Sequence, residues 1–411
     1  MSAEETTFHA EAIPNSYVVV FKPHVSKEAC DKHCEWASQC CSQRISALGG
    51  SHQYDGIKDT FKIKTVQGYT CNVDAETKKQ IEESDEVEFV EPDMKVYASE
   101  IVTAETPSWG LGRICSKEKQ TGEGRYTKYM YDDSAGEGVR VYVVDTGILA
   151  EHEDFGGRAT FAYNAIAGSS DTDKNGHGTH CAGTVGGTKY GVAKKATILG
   201  VKVLGDDGSG SNSTVLAGMQ WALEDASTHD AVKTSVISMS LGGGKSVALN
   251  RAVKAIVDEG LTICVAAGNE SRDAKFSSPA SEESCLTVGS TDINDKLSTF
   301  SNYGSLVDVL APGTAITSTW IDEDENGSTS NTNTISGTSM ATPHVAGLCA
   351  YLIAKEKLSG SDQVMGRIKE LAGKGIAGLK ANTPDRLAYN GVEVAGSPVQ
   401  REEPEKVELK V

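Results

Sequence analysis

The sequence lacks several features that would decide its class at once. Proline is scarce, with 10 residues against 43 glycines, and 38% of the chain is hydrophobic. This ordinary globular composition excludes a collagen-like or wholly disordered chain. The longest nearly uninterrupted apolar runs, such as Val139 to Val144 and Leu261 to Ala267, are strand-sized, far short of the roughly 20 residues of a membrane span. We therefore expect no membrane segment.

Positive charge is in deficit, with 39 Lys and Arg against 57 Asp and Glu. The resulting net charge of −18 repels polyphosphate backbones, so nucleic acid is not an expected partner. The first residues carry acids where a signal peptide has a basic segment followed by an apolar one. The expected location is extracellular or vacuolar if a signal was removed, and otherwise intracellular.

The ten cysteines permit disulfides but do not require them, because a core of this size needs no covalent staples. Cys30, Cys34, Cys40 and Cys41 surround His33, yet no paired CxxC motif occurs and the segment has helical character. Zinc is therefore not favoured there.

Composition and hydrophobic pattern divide the chain into two domains. The first has the alternating short strands and helices of a compact α+β unit, with strands at 17–21, 61–66 and 87–90 and helices at 27–46 and 75–84. The expected segments are an N-terminal extension (1–16), this unit (17–97), a low-complexity linker (98–108), the main domain (109–393) and a polar mobile tail (394–411).

From residue 139 onward, apolar strands alternate with longer helical stretches. Strands are predicted at 139–144, 197–203, 236–239 and 261–267, and helices at 213–224 and 247–259. This alternation predicts an α/β fold with a doubly wound, mostly parallel sheet and helices on both faces. Such sheets bind ligands beyond the carboxyl ends of their strands.

Four motifs place a reactive side chain where a predicted strand ends or a predicted helix begins. One apolar strand ends on Asp145, and another runs through glycine into Asn269. His177 and Ser339 each stand at the start of a helix-like stretch. Singly, each has a plainer structural interpretation: a turn or capping Asp, a structural His, a tight Gly-Asn turn and an N-cap Ser.

Together the four motifs supply the roles that acyl transfer at neutral pH requires. Ser339 can be the nucleophile, with its hydroxyl at a helix N-terminus that favours developing negative charge. His177 can take the hydroxyl proton, and Asp145 can fix the imidazole tautomer. Asn269 and the backbone N–H of Ser339 can donate to the tetrahedral oxyanion.

The same motifs resemble those of a known family. Asp145-Thr-Gly, His177-Gly-Thr-His, Gly268-Asn269 and Gly337-Thr-Ser339-Met-Ala-Thr-Pro resemble the signatures of the subtilases, in the order Asp, His, Ser. The strings Gly-Val-Lys-Val-Leu, Ser-Leu-Gly-Gly-Gly and Phe-Ser-Asn-Tyr-Gly, with Cys181 four residues after His177, are similar to the proteinase K-like branch. The resemblance covers residues 107 to 390. It implies a serine endopeptidase with protein and peptide substrates and no catalytic cofactor, and we expect a monomer.

By the same resemblance, the substrate backbone pairs as an added strand with two segments that line the cleft. These segments are Ser240, Leu241, Gly242 and Gly243, and Ala266, Ala267 and Gly268. Ser209 and Gly210 would edge a subsite further from the cleaved bond. A broad apolar pocket implies a loose preference for apolar or aromatic residues before that bond.

Residues 17–97 resemble the inhibitor-type propeptide of subtilases, at Tyr17-Val-Val-Val-Phe-Lys and at the segment from Val87 to Tyr97. The resemblance implies a zymogen whose propeptide acts as intramolecular chaperone and inhibitor. Its end near Tyr97 would occupy the cleft, and the enzyme itself would cut between Ala98 and Pro107.

The cysteine positions of this sequence differ in part from those of the family. Arg140 stands where secreted proteinase K-like enzymes have a cysteine, and Leu286 lies beside Cys285 at another such place, so the family disulfides are not carried over. Thiols without those bridges favour an intracellular or vacuolar setting. Cys181 resembles the branch's free thiol near the catalytic His, which implies sensitivity to mercurials, although a small buried hydrophobe is an equally compatible interpretation.

Calcium is the usual stabilising ion of the family. Asp308 matches the carboxylate of the family's tight site, which carbonyls near Glu283 and Cys285 would complete. The resemblance therefore implies a structural calcium at Asp308, although a hard cation wants six to eight oxygens that the sequence does not reveal.

Three other functions have some support in the residues. An aspartic protease needs a second Asp-Ser/Thr-Gly, and none occurs. A zinc hydrolase could use His177, His180 and Cys181, but the Gly-rich spacing suits a helix start better than HExxH. A non-enzymatic chain, with an inhibitor or chaperone-like module on a dormant protease body, is the remaining alternative, and the intact triad residues argue against it.

Overall fold

The computed structural model of the chain describes residues 12–47, 54, 56–94, 101–322 and 327–392. The start of the expected extension, the segment around Tyr97 and Ala98, and the tail from residue 394 lie outside the described residues. The chain forms two compact units, Met1–Ala98 and Ser99–Val411.

The first unit is a four-stranded antiparallel sheet with two helices. Its strands lie in the order β2-β3-β1-β4, and its core includes Val19, Phe21, Tyr69 and Ile81. The elements are β1 (Ala12–Phe21), α1 (Lys27–Ala47), β2 (Gly56–Ile63), β3 (Val66–Asn72), α2 (Ala75–Glu82) and β4 (Val87–Met94).

The strand predicted at 61–66 is wrong in its bounds, because this segment spans the turn between two strands. β2 ends at Ile63 and β3 begins at Val66. Lys64 between them has φ 54°, a left-handed conformation that ends a strand. The alternating apolar residues therefore belong to both arms of a hairpin.

The second unit contains thirteen strands and six helices among its described residues. The strands are β5 (Ile101–Glu105), β6 (Lys128–Asp132), β7 (Arg140–Asp145), β8 (Ala159–Asn164), β9 (Thr197–Lys202), β10 (Ser235–Met239), β11 (Gly243–Gly244), β12 (Thr262–Ala266), β13 (Ser277–Ser278), β14 (Leu286–Thr291), β15 (Val309–Pro312), β16 (Ile316–Thr319) and β17 (Thr332–Ile335). The helices are α3 (Trp109–Ile114), α4 (His177–Gly186), α5 (Asn212–Thr228), α6 (Val247–Asp258), α7 (Thr338–Glu356) and α8 (Ser361–Leu371). β5 pairs with β6, so part of the segment expected to be a linker is a strand of this unit.

Seven strands of this unit form one sheet in the order β15-β14-β12-β10-β7-β9-β8. Every neighbouring pair is parallel. Val141 and Val143 of β7 pack on the face that carries α4 and α7, whereas Tyr142 and Val144 pack on the face that carries α5 and α6. A strand buried on both faces has to be apolar throughout, and the predicted doubly wound sheet is confirmed.

Strand β7 has β9 on one side and β10 on the other. After β7 the chain forms β8 and β9 on one side of it and then returns to the opposite side for β10, which makes a topological switch point at the carboxyl end of β7. Among the residues described, no helix is both long and apolar enough to cross a bilayer. All ten cysteines are free thiols.

Candidate active site

Asp145 and His177 form the centre of the site at the switch point. Asp145 is the last residue of β7 and is fully buried, and His177 is the first residue of α4, with its side chain 26% exposed. His177 Nδ1 lies 2.7 Å from Asp145 Oδ1, which also accepts the Thr146 N–H at 2.8 Å. An ionised carboxylate can only accept, so Nδ1 carries the proton and Nε2 is left free to accept one.

Burial and the neighbouring side chains have opposite effects on the pKa of the His177 imidazole. Burial is the largest single influence and favours the neutral ring, but the charges and hydrogen bonds of Asp145 and Cys181 together outweigh it and raise the pKa of His177 well above its ordinary value. The pair is therefore built to stabilise an imidazolium, which is the species a general base becomes after it takes a proton.

Asp173, which the sequence reasoning missed, holds the two halves of the pair together. Its Oδ1 accepts from the Thr146 hydroxyl at 2.9 Å and from the N–H groups of Asn175 and Gly176. Its Oδ2 accepts from the N–H and hydroxyl of Thr179, at 2.9 and 2.7 Å. One buried carboxylate thus ties the end of β7 to the start of α4. The only sequence signal was its place four residues before His177.

Lys202 forms a hydrogen bond to the residue that follows the end of β7. Its side chain is fully buried at the end of β9, where Nζ donates to the Thr146 carbonyl at 2.7 Å and to Asp206 Oδ1 at 3.0 Å. A buried ammonium needs such partners. This residue was visible only as the lysine of the Gly-Val-Lys-Val-Leu string.

Ser339 lies in the first turn of α7 and is its second residue, since the N-cap position belongs to Gly337. The plainer N-cap interpretation of Ser339 is therefore wrong. Its hydroxyl donates to the Ser240 carbonyl at 3.0 Å, and the Ser240 hydroxyl donates to the Ser339 carbonyl at 2.8 Å. Among the described residues, no hydrogen bond joins the Ser339 hydroxyl to the His177 ring.

Cys181 links the histidine helix to the serine helix. Its Sγ lies 4.0 Å from His177 Nδ1 and 3.5 Å from the Ser339 carbonyl oxygen. Burial raises the pKa of this thiol, so the neutral S–H is its favoured form. The small buried side chain of Cys181 thus contacts both Ser339 and His177.

Asn269 and the start of α7 place two hydrogen-bond donors near each other. Asn269 accepts through Oδ1 from the Thr338 N–H at 2.8 Å and from the Thr338 hydroxyl at 2.9 Å. Because a backbone N–H can only donate, the amide atom that faces it is oxygen, and Nδ2 points away. A Cβ added at Gly337 would lie 3.6 Å from Asn269 Nδ2 and 3.5 Å from the Ser339 nitrogen. Both donors therefore border the space beside Gly337.

Asn302, another residue whose role the sequence did not reveal, fixes the loop that carries Asn269. This fully buried amide donates to the Ala267 carbonyl at 2.8 Å and accepts from the Glu270 and Arg272 N–H groups. It sits inside the Phe-Ser-Asn-Tyr-Gly string, which was noted only as a motif.

The residues expected to bind substrate differ in what they expose. Leu241 is partly buried, while Gly242 and Gly243 are exposed, and Gly243 begins β11, which pairs with β13. The methyl groups of Ala266 and Ala267 are buried, and Gly268 is half-buried. Ser209 donates to Asp207, and Gly210 bridges to Leu204. Asp308 lies just before the amino-terminal end of β15, whereas Asp145 lies at the carboxyl end of β7.

A metal ion suits this centre poorly. Asp145, His177 and Cys181 have ligand atoms within 4.8 Å of one another. A tetrahedral zinc needs nitrogen and oxygen ligands about 3.3 Å apart, whereas His177 Nδ1 and Asp145 Oδ1 are 2.7 Å apart with a proton between them. His180, weighed as a zinc ligand, instead places its Nε2 3.0 Å from the Ile316 carbonyl. His177 and His180 are thus both engaged with other partners, which argues against the zinc hydrolase alternative.

Two family profiles match the chain. The Subtilase family matches residues 136–391, and the Peptidase inhibitor I9 family matches residues 16–99. The first match contains Asp145, His177, Asn269 and Ser339.

Relatives and a solved structure agree with these matches. The chain is 47% identical over 386 residues to "Alkaline protease 1" of Emericella nidulans, covering 93% of each chain. It is 48% identical over 395 residues to "Subtilisin-like protease 6" of Arthroderma benhamiae, covering 93% of this chain and 92% of that one. The crystal structure of a cold adapted subtilisin-like serine proteinase is 40% identical, with a TM-score of 0.64, and covers 71% of this chain and 100% of its own.

Proposed function

The chain belongs to the subtilase family of serine proteases, and we propose that Ser339, His177 and Asp145 form the triad with which it hydrolyses peptide bonds. The observation that carries this proposal is the 2.7 Å contact between His177 Nδ1 and Asp145 Oδ1. That contact leaves Nε2 as the acceptor that a serine hydroxyl needs.

The reaction would proceed through an acyl-enzyme. Ser339 Oγ attacks the peptide carbonyl carbon while its proton passes to His177 Nε2, and Asp145 stabilises the imidazolium. The imidazolium then protonates the leaving amine as the carbon–nitrogen bond breaks. Water hydrolyses the resulting ester by the same route and restores the serine. Members of this family need no cofactor for these steps, and the calcium implied at Asp308 has no role in them.

The oxyanion of the tetrahedral intermediate would sit beside Gly337. The Asn269 side-chain amide and the Ser339 N–H border that space, and donors fixed in advance act most strongly on charge that appears only in the transition state. Thr338 holds the Asn269 oxygen, so the amide cannot turn round without losing two hydrogen bonds.

Substrate binding would prepare the nucleophile. In the free protein the Ser339 hydroxyl donates to the Ser240 carbonyl. A substrate that adds a strand at Ser240 to Gly243 would offer its own backbone N–H to that carbonyl. Competition for the same acceptor favours rotation of Ser339 about its Cα–Cβ bond toward His177. Apolar or aromatic residues before the cleaved bond, and Ser209 and Gly210 at a further subsite, complete the proposed specificity.

The I9 domain would make the chain a zymogen. We propose that residues 17–97 assist folding of the protease domain at 109–393, inhibit it, and are released by self-cleavage between residues 98 and 108. The match of residues 16–99 to a peptidase inhibitor family supports this arrangement.

Two measurements test the proposal. Phenylmethylsulfonyl fluoride should label Ser339 and abolish casein hydrolysis by the processed protein, while Ser339→Ala should leave the purified chain uncut. Processing of Ser339→Ala in the absence of any other protease would refute self-cleavage. Immediate loss of activity on adding a chelator, without loss of folding, would favour a catalytic metal instead.

A further inference from the structure

Asp308 already has a cation. Lys369 of α8 places its Nζ 2.8 Å from Asp308 Oδ1, and the Thr287 N–H donates to Asp308 Oδ2 at 2.9 Å. The two charged side chains are partly buried, 31% exposed for Lys369 and 18% for Asp308. Each oxygen of the carboxylate therefore has a proton donor without any added ion.

A second positive side chain lies at the same place. Arg386 directs NH1 toward the Asp308 carbonyl oxygen at 3.4 Å, and its charge also acts on the Asp308 carboxylate. One carboxylate thus faces two cationic side chains. A calcium ion would bring two further positive charges beside two cationic side chains, and like charges at such distances repel.

Further carboxylate oxygens are few at this place. Glu282, whose charge acts with that of Asp308 on the Cys285 thiol, has its Oε1 engaged by the N–H and hydroxyl of Ser284. Within the described ranges, the only group of three or more His, Cys, Asp or Glu side chains close enough to share an ion is Asp145, His177 and Cys181. Calcium takes six to eight oxygens, so the residues around Asp308 do not fit the ion that the family resemblance implies.

We propose that the Lys369 ammonium is the resident cation of this site and takes the place of calcium. The ion pair fastens α8 to the amino-terminal edge of β14 and β15, where Thr287 and Asp308 lie. A covalently attached cation is not removed by dilution or by a chelator. The stability that this site contributes is therefore independent of calcium concentration.

Calcium counting tests the proposal directly. The full chain carrying Ser339→Ala, which prevents self-cleavage, is compared with the same chain carrying Asp308→Asn. Isothermal titration should give the same number of bound calcium ions for both, and calcium should shift the Tm of both equally. Loss of one bound ion, or of the calcium-induced Tm shift, in the Asp308→Asn chain would overturn the proposal.

Replacement of the lysine supplies the second test. In excess chelator, Lys369→Met should lower the Tm by about 2–5 °C, while Lys369→Arg, which keeps a cation, should stay close to the parent. An unchanged Tm in Lys369→Met would contradict the assignment.

Discussion

Ser240 and Ser339 exchange hydrogen bonds. The hydroxyl of each donates to the backbone carbonyl of the other, at 2.8 Å from Ser240 and 3.0 Å from Ser339. The first bond fixes the peptide that follows Ser339 at the start of α7. The second holds the Ser339 hydroxyl at the end of β10, and in the proposed mechanism it would have to be released before the hydroxyl attacks a substrate.

Ser240→Ala should therefore lower kcat by about tenfold, which corresponds to one neutral hydrogen bond of about 1–1.5 kcal/mol. KM should change little, because the Ser240 carbonyl remains available to substrate. The measurement is steady-state hydrolysis of a short chromogenic peptide. Ser305→Ala, at an exposed serine, is the control and should keep the parent kcat. A normal kcat in Ser240→Ala would mean that this hydroxyl does not position Ser339.

Gly337 leaves open the space that the oxyanion would occupy. Its φ of 166° is extended, so alanine would cause no backbone strain there. The added methyl would lie 3.5 Å from the Ser339 nitrogen and 3.6 Å from Asn269 Nδ2. Gly337→Ala should reduce kcat by about 10²–10³, the cost of losing one oxyanion donor, with little change in Tm.

A glycine from α8 provides the matched control for that variant. Gly366 has no atom within 4 Å of an added Cβ, so Gly366→Ala should preserve kcat and raise helix stability slightly. If Gly337→Ala retained full kcat, the oxyanion would have to lie elsewhere.

We expect Asp173 to be a positioning residue, because it contacts Thr146 and the first turn of α4. All five of its contacts are with donors. Asp173→Asn would turn an NH₂ group against some of them, so we expect about 2–4 kcal/mol of destabilisation and a fall in kcat with KM nearly constant. Asp171→Asn makes the same chemical change at an exposed position in the same loop and should be nearly neutral.

The pH profile distinguishes positioning from simple loss of stability in Asp173→Asn. The Asp145 carboxylate holds the pKa of His177 above its ordinary value. If the variant loosens that contact, the acidic limb of kcat/KM should move to lower pH at a temperature where the variant is fully folded. A lower Tm with an unchanged profile would indicate a purely structural residue.

The sequence predicted four of the seven strands of the main sheet, β7, β9, β10 and β12, because these are apolar runs buried on both faces, whereas β8, β14 and β15 were not predicted. Apolar runs such as that ending at Asp145 leave no solvent face to obscure them. β16 and β17 were not predicted. They pair with each other but contain mostly polar residues such as Thr and Asn, so no alternation of apolar and polar residues marks them as strands. The β2–β3 hairpin was missed because its turn uses Lys64 and neither glycine nor proline.

The candidate site was predictable where chemistry depends on residue type at a strand end or helix start. Asp145, Asn269 and the helix-borne His177 and Ser339 lie at such places. Contacts between distant segments were not predictable. Arg140 illustrates this. From the sequence it was noted only as the absence of a family cysteine, whereas in the structure its guanidinium pairs with Asp225 at 2.6 Å.

His33 of the first unit has hydrogen-bond partners that suit the neutral ring. Ser84 donates its hydroxyl proton to Glu86 Oε2 at 2.6 Å, so its oxygen must accept from His33 Nδ1 at 3.1 Å. His33 Nε2 then accepts from the Tyr69 hydroxyl at 3.0 Å. The ring is 2% exposed and packs edge-on against Phe21.

Acid should therefore loosen the first unit. Burial lowers the pKa of His33, and the attraction of Glu86 offsets this only in part. A lowered folded pKa means that the unfolded chain binds the proton more readily, so stability is fully present above about pH 6.5 and is lost as the pH falls below it. Protonation would also turn the Tyr69 hydroxyl from donor to acceptor. The protection factors of the β1 and β3 amides in the Ser339→Ala chain, which correct for the slower intrinsic exchange in acid, should fall between pH 7.5 and pH 5. His33→Gln keeps polar partners but does not titrate, and it should remove this fall; an equal fall in both chains would assign the effect to carboxylates elsewhere in the unit.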